Sequence, residues 1–142
     1  DKKYGFGIVY TENVKLIYKG CFIDDKYNGD GSIYNINNHV IYEGQWLNHK
    51  TTGYGKSYFD NGKIKYDGQW ENGKYQGYGI LYNEDLNFKG QLYQGEEDIA
   101  PKDNFYEGQF HEGLQHGFGI MKQNNKVYKG KWERNKQLYI SI

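Results

Sequence analysis

The residues of this 142-residue chain best suited to chemistry are four histidines, one cysteine and a few paired carboxylates. His111-Glu112-Gly113-Leu114-Gln115-His116 superficially looks like the HExxH zinc motif, in which two histidines four apart share a helical face and a glutamate activates water. Here the histidines are five apart and flank an expected hairpin turn, so an ordinary turn containing histidine is the better reading. His39 and His49 have no cysteine or carboxylate constellation near them. Cys21 would need a positioned base to act as a nucleophile, and at a variable position of a repeated phrase it is read as filling space. Asp24-Asp25 and Glu84-Asp85 fall near expected turns, where carboxylates bond to the local backbone. The several Gly-x-Gly pairs are not phosphate loops, because no helix follows to present its N-terminus. No catalytic residue, metal ligand or cofactor is assigned, and the chain is read as non-enzymatic.

What must position any functional residue is a phrase that occurs six times: Tyr18-Lys19-Gly20-Cys21-Phe22, Tyr42-Glu43-Gly44-Gln45-Trp46, Tyr66-Asp67-Gly68-Gln69-Trp70, Phe88-Lys89-Gly90-Gln91-Leu92, Tyr106-Glu107-Gly108-Gln109-Phe110 and Tyr128-Lys129-Gly130-Lys131-Trp132. The central glycines are separated by steps of 24, 24, 22, 18 and 22 residues. A second signal runs in phase: Gly5/Gly7, Gly29/Gly31, Gly53/Gly55, Gly77/Gly79 and Gly117/Gly119. Two linked signals at constant offset predict an array of identical supersecondary units.

Each unit reads as a β-hairpin. Alternate residues of a strand share a face, so Tyr-x-Gly-x-Trp places both rings and the glycine on one side and the charged and polar residues on the other. Asn61-Gly62 and Asn72-Gly73 carry the pair that favours the positive backbone angles of tight turns. Glycine is costly inside a strand, and the recurring pairs are explained if each removes a side chain so that a ring can lie across the backbone. The expected fold is all-β: an elongated, curled single antiparallel sheet of successive hairpins, about thirteen strands and roughly 60 Å long. Residues 1–142 form one array, with a partial repeat at 1–17 and repeats starting near 18, 42, 66, 88, 106 and 128.

These phased residues resemble the MORN (membrane occupation and recognition nexus) repeat, whose pattern is close to YxGxWxxGxxxGxGxxxYxxG; Tyr42 to Tyr82 match it best. The resemblance implies the same meander of hairpins. It also implies a setting, since MORN arrays occur in cytoskeletal scaffolds, membrane-contact proteins and ciliary proteins, and as appendages of lipid kinases and protein methyltransferases. MORN grooves can receive partner segments.

Composition agrees with a folded array: aromatics make up 18% and there is one proline. Eighteen basic residues balance eighteen acidic ones, which gives no electrostatic basis for binding nucleic acid. The second positions of the phrase, Lys19, Glu43, Asp67, Lys89, Glu107 and Lys129, share a face and are mixed in sign, as on a solvated surface. The same mixture gives no support from charge for attachment to anionic membranes. No stretch approaches the eighteen or more apolar residues of a membrane span, no signal peptide is evident, and a single cysteine suits a reducing compartment, so a cytoplasmic location is expected.

Two candidate surfaces follow. The first is the aromatic ladder of Tyr18, Phe22, Tyr42, Trp46, Tyr66, Trp70, Tyr106, Phe110, Tyr128 and Trp132, which must hold the array together and would also line a groove for a peptide or helix. The second is the irregular fourth repeat, 88–105, where Glu96, Glu97 and Asp98 form an acidic patch before Pro101; a solvent-facing loop is the simpler account, and contact with a basic partner the functional one. The last strand, Leu138 to Ile142, lacks the glycines of a repeat and reads as a terminal cap or the start of a different segment, while Tyr4-Gly5-Phe6-Gly7 is the second half of a repeat with an open edge. The leading expectation is a scaffold that binds a protein segment or itself, in a cytoskeletal or membrane-linked assembly. The alternatives are the targeting or regulatory appendage of a larger enzyme and, third, a phospholipid-binding adaptor.

Overall fold

The computed structural model describes residues 1–83 and 104–138. They form eleven strands: β1 (Gly5–Tyr10), β2 (Leu16–Ile23), β3 (Lys26–Tyr34), β4 (Val40–Leu47), β5 (Lys50–Tyr58), β6 (Ile64–Glu71), β7 (Lys74–Tyr82), β8 (Phe105–His111), β9 (Leu114–Gln123), β10 (Lys126–Glu133) and β11 (Lys136–Gln137). The strands lie in one sheet in chain order, each antiparallel to the next. The fold is therefore the expected all-β meander, with no helix among the described residues.

From β1 to β7 turn chemistry sets an alternation of long and short connections, and a further two-residue turn, Asn124-Asn125, joins β9 to β10. Within each unit the strands are joined by two residues with positive φ: Asp24-Asp25, Asn48-His49, Asn72-Gly73, Glu112-Gly113 and Arg134-Asn135. This backbone matches the right-handed twist of the flanking strands. Between units, Thr11–Lys15, Asn35–His39 and Phe59–Lys63 close five-residue loops through backbone bonds of 2.8, 2.9 and 2.8 Å. The Asn-Gly pair at 72–73 thus makes the tight turn, whereas Asn61-Gly62 lies within a longer loop. Each tight turn also bonds back to the preceding unit: His49 N–H donates to the Tyr27 carbonyl, Gly73 to Thr51, Gly113 to Tyr75 and Asn135 to Gln115.

At the irregular repeat, β7 pairs directly with β8, with Gly79 opposite Gly108 and Tyr82 opposite Phe105. Asn83 N–H donates to the Asn104 carbonyl at 3.0 Å, extending that ladder. Most of the expected fourth unit, including Phe88, Lys89, Pro101 and the acidic Glu96, Glu97 and Asp98, lies outside the described residues, as do positions 139–142 of the expected cap.

Candidate functional site

Four cross-strand pairs of glycines form the floor of one side of the sheet: Gly20 with Gly31, Gly44 with Gly55, Gly68 with Gly79 and Gly108 with Gly119. The tyrosine two residues before each pair lies across it. At Gly68, an added Cβ would stand 2.4 Å from the Gly79 Cα, and at Gly79 it would meet the Tyr66 hydroxyl at 2.2 Å. No side chain fits either place, which is why both strands carry glycine there.

The tyrosine hydroxyls close the arrangement by donating to a carbonyl three residues on: Tyr18 to Cys21 at 2.8 Å, Tyr42 to Gln45 at 2.9 Å, Tyr66 to Gln69 at 2.7 Å and Tyr106 to Gln109 at 3.0 Å. Burial pushes the phenols of Tyr18 and Tyr106 up to about 12 and raises those of Tyr42 and Tyr66 as well. Indole N–H groups complete the pattern, Trp46 donating to the Gly31 carbonyl and Trp70 to that of Gly55, each at 3.0 Å.

The expected aromatic ladder forms as one continuous herringbone. Phe22, Tyr18, Trp46, Tyr42, Trp70, Tyr66, Phe110, Tyr106 and Trp132 succeed one another edge to face, with centroids 5.0 to 5.9 Å apart and planes at 79° to 90°. The Tyr66–Phe110 contact carries it across the β7–β8 junction. Eight of these nine rings are buried, so they constitute the core of a sheet that, among the described residues, has no second layer to pack against. Of the ten residues in the expected ladder, Trp70 is half-buried and Tyr128, at 39% exposure, is the one on the surface. A cleft of about 440 Å³ opens beside Trp70, bounded by Ser57, Lys74, Tyr75 and Gly113.

The opposite side of the sheet is organised just as regularly. One row runs Ile8, Lys19, Ser32, Glu43, Lys56, Asp67, Ile80, Glu107, Ile120 and Lys129, each opposite the next. It contains the second-position charges of the repeat, apart from Lys89, which is outside the described residues. Beside it, the middle residues of the Gly-x-Gly pairs point outward: Phe6 opposite Cys21, Asp30 opposite Gln45, Tyr54 opposite Gln69, Tyr78 opposite Gln109 and Phe118 opposite Lys131. Tyr54, Tyr78 and Phe118 are 53%, 51% and 62% exposed.

Sequence reasoning assigned this side to charged and polar residues and so missed its aromatic members. The signal was present: a residue flanked by two glycines must face away from them, and in four of the five pairs it is Phe or Tyr. The rings are held in place. Gln45, Gln69 and Gln109 accept the backbone N–H of Tyr54, Tyr78 and Phe118 at 3.1, 2.9 and 3.0 Å. The Tyr54 hydroxyl donates to Asp67, Tyr78 to Glu107 and Tyr58 to Glu43. These bonds, above all, push the Tyr54 and Tyr78 phenols up to about 12.

Among the described residues, those first considered for chemistry have structural partners; Glu84-Asp85 lie outside the described residues. Glu112 lies in the β8–β9 turn, and the His111 and His116 rings are 5.6 Å apart, with His111 Nδ1 3.2 Å from Gln76 Nε2. His49 Nδ1 accepts from Tyr27 N–H, and His39 Nδ1 lies 3.1 Å from the Asp60 carbonyl. Asp24 pairs with Lys2, and Asp25 accepts the Lys3 N–H. Half-buried Cys21 packs beside Gly29. Among the described residues no group of three or more His, Cys, Asp or Glu could hold a metal ion, and no helix is long and apolar enough to cross a membrane.

Comparison with known families identifies the repeat. The family model described as MORN repeat matches residues 42–64, 66–86 and 106–126. No curated protein matches the chain.

Proposed function

From the premise that this chain carries MORN repeats, we propose that it is a non-catalytic interaction scaffold that offers a rigid, extended β surface to a segment of a protein partner. The observation that carries this reading is the outward row of Tyr54, Tyr78 and Phe118. Each ring is exposed, yet its backbone is tied to a glutamine, and the two tyrosines are also tied to carboxylates. Large apolar surfaces held at fixed positions lose little conformational entropy on binding, which favours recognition by a preformed surface. The ladder on the other side is committed to the core, so on that side the proposal keeps the cleft beside Trp70 and Tyr128 as a further contact surface. A cytoplasmic site of action within a cytoskeletal or membrane-linked assembly is part of the proposal, and the single cysteine suits it.

Photo-crosslinkers placed singly at Tyr78 and at Tyr128, with the array intact by circular dichroism, test the reading in source cytosol. A discrete protein adduct at Tyr78 supports the scaffold and assigns its working side, and an adduct at Tyr128 alone would move binding to the ring side. No protein adduct at either position would overturn the proposal.

A further inference from the structure

The outward side changes character along the sheet. In its middle section, from β3 to β8, the two rows hold Asp30, Glu43, Asp67 and Glu107, with Lys56 between Glu43 and Asp67. Past this section, on β10, the same repeat positions carry Lys129 and Lys131. The aromatic residue changes with the charge. Where the neighbour is acidic the ring is a tyrosine that donates to it, as in Tyr54–Asp67 and Tyr78–Glu107. Where the neighbour is basic the ring is Phe118, and Lys131 Nζ lies 5.1 Å from its centroid.

That last contact shows what this register position favours. Lys131 occupies the place that Gln69 and Gln109 hold beside Tyr54 and Tyr78. In the final repeat the chain thus supplies its own cation over the outward ring. In the middle repeats the ring stands beside a carboxylate, with glutamine in the cation's place. A carboxylate has lone pairs left after accepting one phenol, and a guanidinium can use them while its plane rests on the adjoining ring. A shallow groove of about 310 Å³, bordered by Asp30, Glu43, Tyr54 and Lys56 and floored by Gly31 and Gly44, continues the same surface toward β3, with two carboxylates to one ammonium.

We propose that the section of the outward face between Asp30 and Glu107 binds a basic, extended segment of a protein partner, with arginine side chains over Tyr54 and Tyr78. The inference rests on the scaffold reading and names the chemistry of its partner. Spacing makes it specific. Tyr54 and Tyr78 lie two strands apart, about 10 Å at ordinary strand separation, and three residues of a segment in the extended polyproline II conformation, in which every third side chain faces the same way, span about 9 Å. The matching ligand therefore carries arginine at every third position. Lys19 and Lys129, beyond the two ends of the section, disfavour a longer run of basic residues.

The test is fluorescence anisotropy with a labelled ten-residue peptide bearing arginine at every third position, against the same peptide with glutamate in place of arginine. The parent is expected to bind the arginine peptide at least about tenfold more tightly than the glutamate peptide, and less tightly as salt is raised. Asp67→Asn with Glu107→Gln should weaken binding by about tenfold, and Tyr54→Ala with Tyr78→Ala should do so independently, both with unchanged urea midpoints. Equal binding of the two peptides, or no loss in either double variant, overturns the inference. So does preferential binding of phosphatidylserine vesicles by this face, since an anionic lipid surface requires the opposite charge. If the arginine peptide fails while Tyr78 still crosslinks to a protein, the basic-segment inference falls and the scaffold stands; if both fail, both fall.

Discussion

The two sides of the sheet carry the same kinds of side chain and use them in opposite ways. On one side Tyr18, Tyr42, Tyr66 and Tyr106 lie flat over glycine pairs, donate to backbone carbonyls and are sealed between neighbouring rings. On the other, Tyr54 and Tyr78 stand on the same glycine strands, half in solvent, and donate to carboxylates of the next unit. A tyrosine's role in this protein is set by its phase relative to the glycines. Those aligned with the glycines form the core, except Tyr128 in the last repeat; those out of phase form a surface.

Substitutions that break this contrast should differ in size accordingly. The largest effect is expected from Gly68→Val, which places carbon 2.4 Å from the Gly79 backbone, where no side-chain rotation relieves it. A loss of about 3 kcal/mol or more should appear as a large drop in the urea midpoint. A loss under about 1 kcal/mol would mean that the strands can part and that the glycine pair is not what the core requires.

Next comes Tyr66→Ala, which removes a fully buried ring from the centre of the ladder and should cost about 3–5 kcal/mol, as aromatic truncations in cores do. Tyr66→Phe keeps the ring and loses the bond to the Gln69 carbonyl, so about 1 kcal/mol is expected. Trp70→Ala cuts the herringbone between Tyr42 and Tyr66, where the indole belongs to both buried clusters. Because each unit contacts only its neighbours, calorimetry of that variant should resolve two transitions in place of one.

Alkaline pH separates the two sides by a different cause. The buried phenols are raised by burial, so the fold favours their protonated form relative to an unfolded chain that ionises near its ordinary value of about 10. That stabilisation is complete below pH ~10 and is lost as pH rises toward about 12, so the urea midpoint should fall between about pH 10 and pH 12. Tyr54 is raised chiefly by its bond to Asp67, so Asp67→Asn should bring its ionisation down while the buried phenols stay where they are. Spectrophotometric titration of tyrosinate reads both.

The smallest change in stability is expected for Tyr78→Ala, within about 0.5 kcal/mol of the parent, because its ring is surrounded largely by water. Crosslinking and peptide binding, not the urea midpoint, should register its loss.

Much of this contrast was written in the spacing. The phrase at 42–46, 66–70 and 106–110 predicted paired strands, a shared face for its rings and a close backbone approach at glycine, and each is present. Asn72-Gly73 predicted a tight turn. The outward tyrosines were equally readable by parity, but a pattern search that follows the invariant phrase passes over the residue between two glycines, since that position varies from Phe to Asp to Tyr. What spacing could not reveal was the partner of each side chain. Tyr54 reaches Asp67, 13 residues on, across the β5–β6 pairing, and Tyr78 reaches Glu107, 29 residues on, because β7 pairs with β8 across the irregular repeat.

The sequence by itself determined the unit: period two within a strand fixes which residues share a face, and glycine at paired positions fixes where a ring can lie. Only the tertiary structure decided which strands adjoin and which rings are left in water. A ring's burial depends on the rings of the units before and after it, and in a single-layer sheet those neighbours are the core. Tyr128 carries the same phrase as Tyr66, yet one is 39% exposed and the other 0%: beside Tyr66, Trp70 and Phe110 close on the ring from both sides, whereas beyond β10 the described residues hold only the short strand β11, Lys136–Gln137.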